Sequence, residues 1–452
     1  MLLATTVAIL LASAFGPEAA LAELVKEGST CTVTPSGGTD DTPQILSAFK
    51  ECATDSAIVF EEGTYNIRQV METTNLNNVT IDIYGKWVWS ADNLQYWIGA
   101  TLPVEYAGLH TAWKLGGTDV ALRGHGQALF DGNGQVWMDE NRNGSNRQGR
   151  PISLTIWHGT NILVDGITWR QAQFWHTFVA YSQNVTMTNL DMNTTSNSQW
   201  SAVNTDGVDT WNSRDVTIRN WTVVSGDVSS PALSRWYLFC RDMYSMIHVP
   251  LRKVVCEDEG IADHPGSPQD CLSVKGNSSN IDIRNATCYE SGCAVIGSMG
   301  SNAGQADLVD NVYYENIRCI HSSNAAWIKT YPGTGHVRNV TFKDFVIEDV
   351  NQPIYITPCT YSGQNCDNSR IPIEDISWIN IQGTSRYNVA AGMHCSASAP
   401  CKNLKFEDIA ITPKAGGAAK VLCSNIDNQA SMGLACTGTC PGNWPQQLNG
   451  NS

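Results

Sequence analysis

The sequence predicts an all-β protein, a single-domain solenoid of the right-handed parallel β-helix class. Three observations support this prediction: one strand pattern recurs ten times, only 16% of the 452 residues are charged, and the chain contains 38 glycines. A low charged fraction argues against a coiled coil or a long disordered chain. The 42% of hydrophobic residues is enough for a large core.

Each copy of the recurring pattern begins with Asn or Asp, continues with Val, Ile or Leu, and then alternates. Alternation with β-branched residues predicts strands, and an Asn or Asp side chain can close the preceding turn. A repeat of roughly 20–50 residues is typical of a solenoid, whereas the alternative is a β-sandwich with accidental alternation. The copies begin at Asn78, Asp119, Asn161, Asn184, Asp215, Asn280, Asn311, Asn339, Asp375 and Asn403.

One interval in this series is much longer than the others. Most neighbouring copies lie 23 to 36 residues apart, but Asp215 and Asn280 are separated by 65. Removing the 42 residues 228–269 leaves a spacing of 23 and joins Asp227 directly to Asp270. We therefore expect 228–269 to be a retained intron in the gene prediction, and a genuine surface insertion is the alternative.

The amino terminus predicts export. Residues 1–22 contain an apolar run without charge and end in a small-x-small site, which predicts a signal peptide and a mature domain spanning 23–452. A membrane anchor is the weaker interpretation because the run is too short. Fifteen cysteines fit an oxidising compartment. Glycosylation motifs occur at Asn78, Asn143, Asn184, Asn193, Asn220, Asn277, Asn285 and Asn339.

The cysteines fit disulfides better than a metal site, because no Cys-x-x-Cys pair occurs. We expect neither a metal nor another cofactor. The pairing among Cys423, Cys436 and Cys440 remains open. Pairs close in sequence are the ones to expect, namely Cys31–Cys52, Cys271–Cys288, Cys359–Cys366 and Cys395–Cys401.

The charge of the chain also limits its partners. A net charge of −15 and the absence of a long basic segment argue against nucleic acid. No segment after the leader predicts a membrane span. We expect a monomer that acts on a polysaccharide.

A set of aspartates is the strongest candidate for chemistry. Asp206 and Asp209 lie between two repeat strands, and Asp227 and Asp270 follow one coil later. Equivalent positions on successive coils stack about 4.8 Å apart, so these carboxylates can converge. Paired carboxylates can divide the acid and base roles of glycoside hydrolysis. A lone Asp would be an ordinary turn residue, and Asp209 is expected to be structural.

The order of these motifs resembles glycoside hydrolase family 28, which comprises polygalacturonases, rhamnogalacturonan hydrolases and related pectinases. The similarity covers roughly residues 30 to 440 without 228–269. It rests on TDDTPQILSAFKEC (39–52), FDGNGQVWMD (130–139), NTDGVD (204–209), GD and DC (226–227 and 270–271), SGCAVIGSMG (291–300) and WIKT (327–330).

The resemblance implies a parallel β-helix and an inverting mechanism. By match of motif, Asp227 would be the general acid, and Asp206 and Asp270 would hold and activate water. Lys329 would bind a substrate carboxylate, and Asn204 would contact the substrate.

Two positions depart from the polygalacturonase pattern. Gly292 stands where polygalacturonases carry His, and Trp327 stands where they carry Arg. Loss of that Arg removes a bidentate carboxylate clamp, and rhamnogalacturonan hydrolases share both departures. Trp327 would suit a sugar face without a carboxylate. His176 matches a position where several members carry His or an aromatic residue and is a further candidate for substrate binding.

We expect a secreted, inverting hydrolase of α-galacturonosyl bonds in pectin. Rhamnogalacturonan is the first substrate expected, and exo-acting hydrolysis of galacturonan is close behind. The alternatives are a pectate lyase and a polysaccharide-binding β-helix whose site has decayed.

Overall fold

The computed structural model describes residues 24–144, 147–226, 269–301, 304–360 and 364–441. The expected leader 1–22, Asp227 and residues 228–268 lie outside these ranges. In the described part of the chain, no helix has both the length and the apolar composition that a membrane crossing requires.

The described elements are mostly strands. Three α-helices, α1 (Thr42–Glu51), α2 (Leu94–Ala100) and α3 (Gly134–Asn141), and two 3₁₀ turns, Cys366–Asn368 and Gln429–Ser431, accompany them. The strands are β1 (Leu24–Glu27), β2 (Thr30–Val33), β3 (Thr54–Phe60), β4 (Thr64–Ile67), β5 (Met71–Ile83), β6 (Lys86–Trp89), β7 (Leu102–Pro103), β8 (His110–Thr111), β9 (Trp113–Asp131), β10 (Pro151–Ile152), β11 (Leu154–Arg170), β12 (Thr177–Ala180), β13 (Gln183–Thr195), β14 (Val208–Trp211), β15 (Arg214–Gly226), β16 (Asp270–Val274), β17 (Ser278–Tyr289), β18 (Gly292–Met299), β19 (Ala306–Ile320), β20 (Asn324–Thr330), β21 (Thr334–Val350), β22 (Gln352–Thr357), β23 (Ile373–Ser385), β24 (Val389–His394), β25 (Lys402–Pro413), β26 (Lys420–Ser424) and β27 (Gly438–Thr439).

These strands form the predicted parallel solenoid. Long strands pair in the order β11, β13, β15, β17, β19, β21, β23 and β25, and all of these pairings are parallel. Short strands β12, β14, β16, β18, β20, β22, β24 and β26 form a second parallel series. The β-helix prediction is therefore confirmed, and the β-sandwich alternative is wrong.

The interior is a stack of apolar side chains in which each coil contributes one layer. Val216 stands in register with Val185 on the preceding coil and Ile281 on the next, and all three are buried. Aromatic rings stack in the same way at the carboxyl end, where Trp378 and Phe406 lie 4.5 Å apart. Helix α1 packs against the first coils of this core.

The recurring Asn and Asp residues turn the chain in the left-handed region. Asn311 has a φ of 57°, a conformation that Asn and Asp accept more readily than other non-glycine residues. Its side-chain amide donates to Asn280 at 2.9 Å and its oxygen accepts from Asn339 at 2.8 Å. The expected turns are therefore linked from coil to coil as a ladder.

The solenoid continues across the long interval. Strand β15 ends at Gly226, yet it pairs directly with β17, with Val216 opposite Ile281. Strands β15 and β17, which lie on either side of 228–268 in the sequence, thus belong to consecutive coils.

The four expected disulfides are all present, and two more join them. Those expected are Cys31–Cys52, Cys271–Cys288, Cys359–Cys366 and Cys395–Cys401. The open pairing resolves as Cys423–Cys436, which leaves Cys440 as a buried thiol. Cys293–Cys319, which links neighbouring coils, was not expected.

Candidate active site

Three aspartates converge on the outer face of the short-strand series. Asp209 lies on β14 opposite Ser273 on β16, and the Gly207 amide donates to the Asp270 carbonyl at 3.0 Å. This stacking brings oxygen atoms of Asp206, Asp209 and Asp270 to within 4.8 Å of one another. The expected approach of Asp206 and Asp270 is therefore observed. Asp209, expected to be structural, belongs to the same carboxylate cluster.

Of the three carboxylates, Asp206 is the one whose negative charge is stabilised least by its surroundings. It is only 4% exposed, and its Oδ1 atom has no hydrogen-bond partner among the described residues. Burial first, and then the neighbouring charges of Asp209 and Asp270, raise the pKa of Asp206 well above its ordinary value. This carboxyl is therefore the member of the cluster best able to retain a proton.

Lys329 reaches the cluster from β20, as its motif suggested. Its ammonium lies 2.7 Å from Asp270 Oδ2 and 3.1 Å from Oδ1. The same ammonium stands 4.4 Å above the ring of Trp327. Lys329 thus holds Asp270 directly, while Trp327 supports the ammonium.

Lys275 is a second cation in the cluster, and the sequence analysis missed it. Its Nζ lies 2.8 Å from Asp209 Oδ1 and 3.9 Å from Asp270 Oδ2. It also donates to Ser273 Oγ at 3.0 Å. The sequence contained a signal for it, because Lys275 directly follows β16 and is the second residue after Ser273, so alternation places both side chains on the outer face.

The two lysines oppose the charge of the three carboxylates. Burial raises the pKa of Asp209, and Lys275 counteracts that rise. Burial alone would lower the pKa of Lys275, but Asp209, Tyr106 and Asp270 raise it well above its ordinary value. Three carboxylates are sufficient to hold a metal ion, yet here two ammonium groups already supply the positive charge.

His176, suggested for substrate binding, is buried beneath Asp206. Its side chain is 0% exposed, Nδ1 lies 2.9 Å from the Asp206 carbonyl, and Nε2 lies 2.9 Å from Thr194 Oγ1. Burial lowers the pKa of His176 to about 4. The ring is therefore a neutral support that fixes the backbone of Asp206, and a contact between His176 and the substrate stays a prediction.

The other two expected binding residues lie beside the carboxylate cluster. Trp327 is 5% exposed, and its indole N–H donates to Thr357 Oγ1 at 3.1 Å. Most of its ring is therefore covered by protein. Asn204 adopts a φ of 53° in the turn that leads into Asp206. Asn204 thus helps to set the path of the chain at the site.

A buried arginine also lies near the carboxylates. Arg150 is 2% exposed, and its guanidinium stands 5.0 Å from the ring centroid of Phe174. Burial lowers the pKa of Arg150 to about 9, and the Asp206 carboxylate opposes that change. Its position in a loop between strands gave no signal in the sequence.

A comparison with protein families relates this site to known hydrolases. The family described as "Glycosyl hydrolases family 28" matches residues 111–229 and 266–432. The match covers more than half of the chain and includes Asp206, Asp270 and Lys329. It leaves 230–265 unmatched, within the segment that the repeat spacing singled out.

Individual relatives extend this similarity over nearly the whole chain. The chain is 30% identical over 455 residues to the alpha-L-rhamnosidase rgxB of Aspergillus niger, covering 95% of each chain. It is 29% identical to an exopolygalacturonase of Cochliobolus carbonum, covering 89% of this chain and 84% of the relative. Among solved structures, the endo-xylogalacturonan hydrolase of Aspergillus tubingensis matches with a TM-score of 0.73 and 26% identity, covering 90% of this chain and 99% of that one.

Proposed function

The chain belongs to the glycosyl hydrolases family 28, and from this premise we propose that it hydrolyses α-galacturonosyl bonds of pectin with inversion. The observation that supports the proposal most strongly is the buried cluster of Asp206, Asp209 and Asp270 with two lysine ammonium groups. Glycoside hydrolysis needs one carboxyl group as acid and another as base. The cluster can supply the base and the groups that hold the water, while the acid has to come from a carboxyl group outside it.

Asp206 and Asp270 are proposed to hold and activate the attacking water. Asp270, paired with Lys329 at 2.7 Å, is the anionic partner that accepts the proton. Asp206, whose Oδ1 atom has no hydrogen-bond partner among the described residues, orients the water from the other side. The described carboxylate oxygens lie within 4.8 Å of one another, closer than the roughly 6.5–9.5 Å between acid and base in most inverting glycosidases. The spacing therefore fits a group of carboxylates that binds one water molecule, while the general acid lies outside the cluster.

Asp227 is proposed as that general acid. Its position in the motif supports this role, and its side chain lies outside the described residues. Joining Asp227 to Asp270 would place the two on one coil, because β15 ends at Gly226 and β16 begins at Asp270. The acid would then protonate the leaving oxygen as water attacks.

Rhamnogalacturonan is the substrate we favour, with exo-acting hydrolysis of galacturonan as the next choice. Trp327 replaces the arginine that would clamp a second carboxylate. Lys329 is the remaining candidate for binding a uronate carboxylate, together with Asn204. A relative that covers 95% of this chain is named a rhamnosidase, which favours release of rhamnose as a second candidate activity.

Secretion and a single domain complete the proposal. The apolar leader 1–22 supports export, and six disulfides fit an oxidising compartment. The mature domain would span 23–452, interrupted by 228–269. We propose a monomer whose partner is the pectic polysaccharide.

The test is hydrolysis of defined pectic polymers. We expect reducing ends to appear faster from rhamnogalacturonan than from homogalacturonan, and Asp270→Asn to lower kcat by about 10²–10⁴-fold. Asp55→Asn is the control, because Asp55 is exposed and does not belong to the carboxylate cluster. Preference for homogalacturonan would overturn the substrate choice, and unchanged kcat in Asp270→Asn would remove Asp270 from the mechanism.

A further inference from the structure

A separate small sheet lies beside the carboxylate cluster. Strands β7 and β8 are antiparallel, and β8 pairs with β10. The segment 104–109, which we call the wall segment, connects β7 to β8. Its base is fixed, because Thr101 Oγ1 donates to the Gly149 carbonyl at 3.2 Å and the Val104 amide donates to the Leu109 carbonyl at 3.1 Å.

The wall segment packs on the outer face of the solenoid through Tyr106. The ring centroid of Tyr106 lies 5.2 Å from Trp211, 5.8 Å from Phe178 and 6.2 Å from Trp175. Those three side chains are 8%, 0% and 6% exposed, respectively. A hydrogen bond of 3.0 Å from the Tyr181 hydroxyl to Glu105 adds a polar contact. The segment is therefore packed on the sheet and is not a free loop.

The covered side chains are the immediate neighbours of the carboxylate cluster. Phe178 on β12 stands in register with Asp209 on β14, and Trp211 follows Asp209 by two residues on the same outer face. The Lys275 ammonium lies 5.2 Å from the ring of Trp175. Adjacent strands are about 4.8 Å apart, so the wall segment begins within about one coil of Asp209.

The opposite side of the cluster is formed by the next coils. Val295 on β18 stands in register with Ser273, and Trp327 follows on the next coil. Trp327 and Tyr355 stack 5.8 Å apart. Both are buried in one apolar cluster with the Cys359–Cys366 disulfide. On this side the face continues along side chains of the following coils, and the remainder of the polymer is expected to leave the site over it.

We propose that the wall segment closes the site toward the amino-terminal coils, so that the enzyme removes sugars from a chain end instead of cutting internal bonds. An internal bond can react only if the polymer continues past the carboxylates in both directions. With Tyr106 seated on Trp211 and Phe178, a polymer lying across the strands meets protein after about one coil spacing. This inference rests on the proposed function and names the part of the polymer that it acts on.

Product analysis of the unaltered protein is the first test. We expect pectic oligosaccharides labelled at the reducing end to shorten by one small unit at a time, with little early loss of polymer viscosity. Internal fragments of many lengths would overturn the chain-end inference and leave the proposed function intact. Absence of any cleavage would instead contradict the proposed function.

Tyr106→Ala tests the role of the wall segment itself. Because the substitution removes the ring–ring contacts that hold the segment down, we expect internal cleavage to rise about tenfold relative to terminal release. Tyr84→Ala, which removes a ring stacked on His125 at 4.8 Å, is the matched control. An unchanged product ratio in folded Tyr106→Ala would overturn the assignment of closure to this segment.

Discussion

Asp206 is a buried carboxyl whose ionisation opposes folding. Its pKa is raised in the folded protein, so the folded state binds a proton more tightly than the unfolded state. Between the ordinary Asp pKa of about 3.9 and the raised value, the free energy of unfolding therefore falls as pH rises. In the proposed mechanism the same carboxyl orients water beside Asp270, so its burial is a stability cost that the proposed function requires.

We predict that Asp206→Asn is more stable than the unaltered protein at neutral pH while losing activity. The substitution should also flatten the dependence of stability on pH above the ordinary Asp pKa, because it removes the group that takes up the proton. Thermal unfolding measured from pH 4 to pH 8 checks this prediction. Glu62→Gln, which removes an exposed carboxylate, controls for net charge. Equal slopes in Asp206→Asn and the unaltered protein would contradict the account.

Lys275 sets the charge balance of the cluster, so its removal should move the pH profile. Lys275 lowers the pKa of both Asp206 and Asp209. In Lys275→Met those pKa values rise further, and the acid limb of kcat should shift to higher pH. We also expect kcat to fall by about 10²–10³-fold, the scale of losing a preorganised charge.

The pH profile of kcat separates this role from simple packing. Lys275→Arg restores a positive charge beside Asp209 and should return the acid limb toward its original position. A Lys275→Met protein that is slower but has an unshifted acid limb would show that Lys275 only fills space.

The sequence predicts the residues of the site that belong to short polar motifs. Asp206 and Asp270 could be named because polar residues recur at one coil spacing, and Lys329 follows from its motif. Lys275 and Arg150 could not be predicted in this way, because each is a single basic residue that reaches the site only through contacts with side chains from other coils. His176 was assigned to substrate because sequence does not report that both ring nitrogens are already bonded.

At the scale of elements, the asparagines that are hydrogen-bonded from coil to coil both shape the turns and hold neighbouring coils together. Asn311→Ala should destabilise the protein by about 2 kcal/mol, from the strained left-handed backbone and the lost side-chain bonds. Asn311→Gly keeps the backbone freedom and loses only the bonds, so about half that effect is expected. Urea unfolding of the two variants measures the difference. Equal destabilisation by Ala and Gly would contradict the backbone part of the explanation.

The catalytic coil gives a prediction about the gene. Because β15 pairs directly with β17 and the family match omits 230–265, we predict that the mature transcript joins the codons of Asp227 and Asp270. Sequencing the transcript across this junction is the measurement. A mature message that contains all 42 codons would establish a genuine insertion beside the active site.

The long strands were predictable, and several other elements were not. The copies beginning at Asn184, Asp215 and Asn280 show alternation because one face is core and the other is solvent. The short strand β14 is buried on both faces, so alternation is absent. The wall segment could not be predicted, since its conformation depends on aromatic side chains more than 60 residues away in sequence.

At the scale of the whole molecule, regularly repeated coils carry a carboxylate cluster that does not repeat from coil to coil. Coil-to-coil pairing sets the face on which the carboxylates stand, and the Cys271–Cys288 and Cys293–Cys319 disulfides join the coils next to it. The net charge of −15 repels an anionic polymer. Lys275 and Lys329 therefore concentrate positive charge at the proposed position of cleavage, and the wall segment is proposed to determine which part of the polymer enters.

The anomeric configuration of the first product tests the central claim most directly. The protein encoded by the mature transcript is incubated with an α-galacturonosyl oligosaccharide, and proton NMR follows the new reducing end. The account predicts that the β anomer appears first and that Asp270→Asn slows its formation by about 10²–10⁴-fold. Initial appearance of the α anomer, or undiminished hydrolysis by Asp270→Asn, would contradict inverting hydrolysis at the carboxylate cluster.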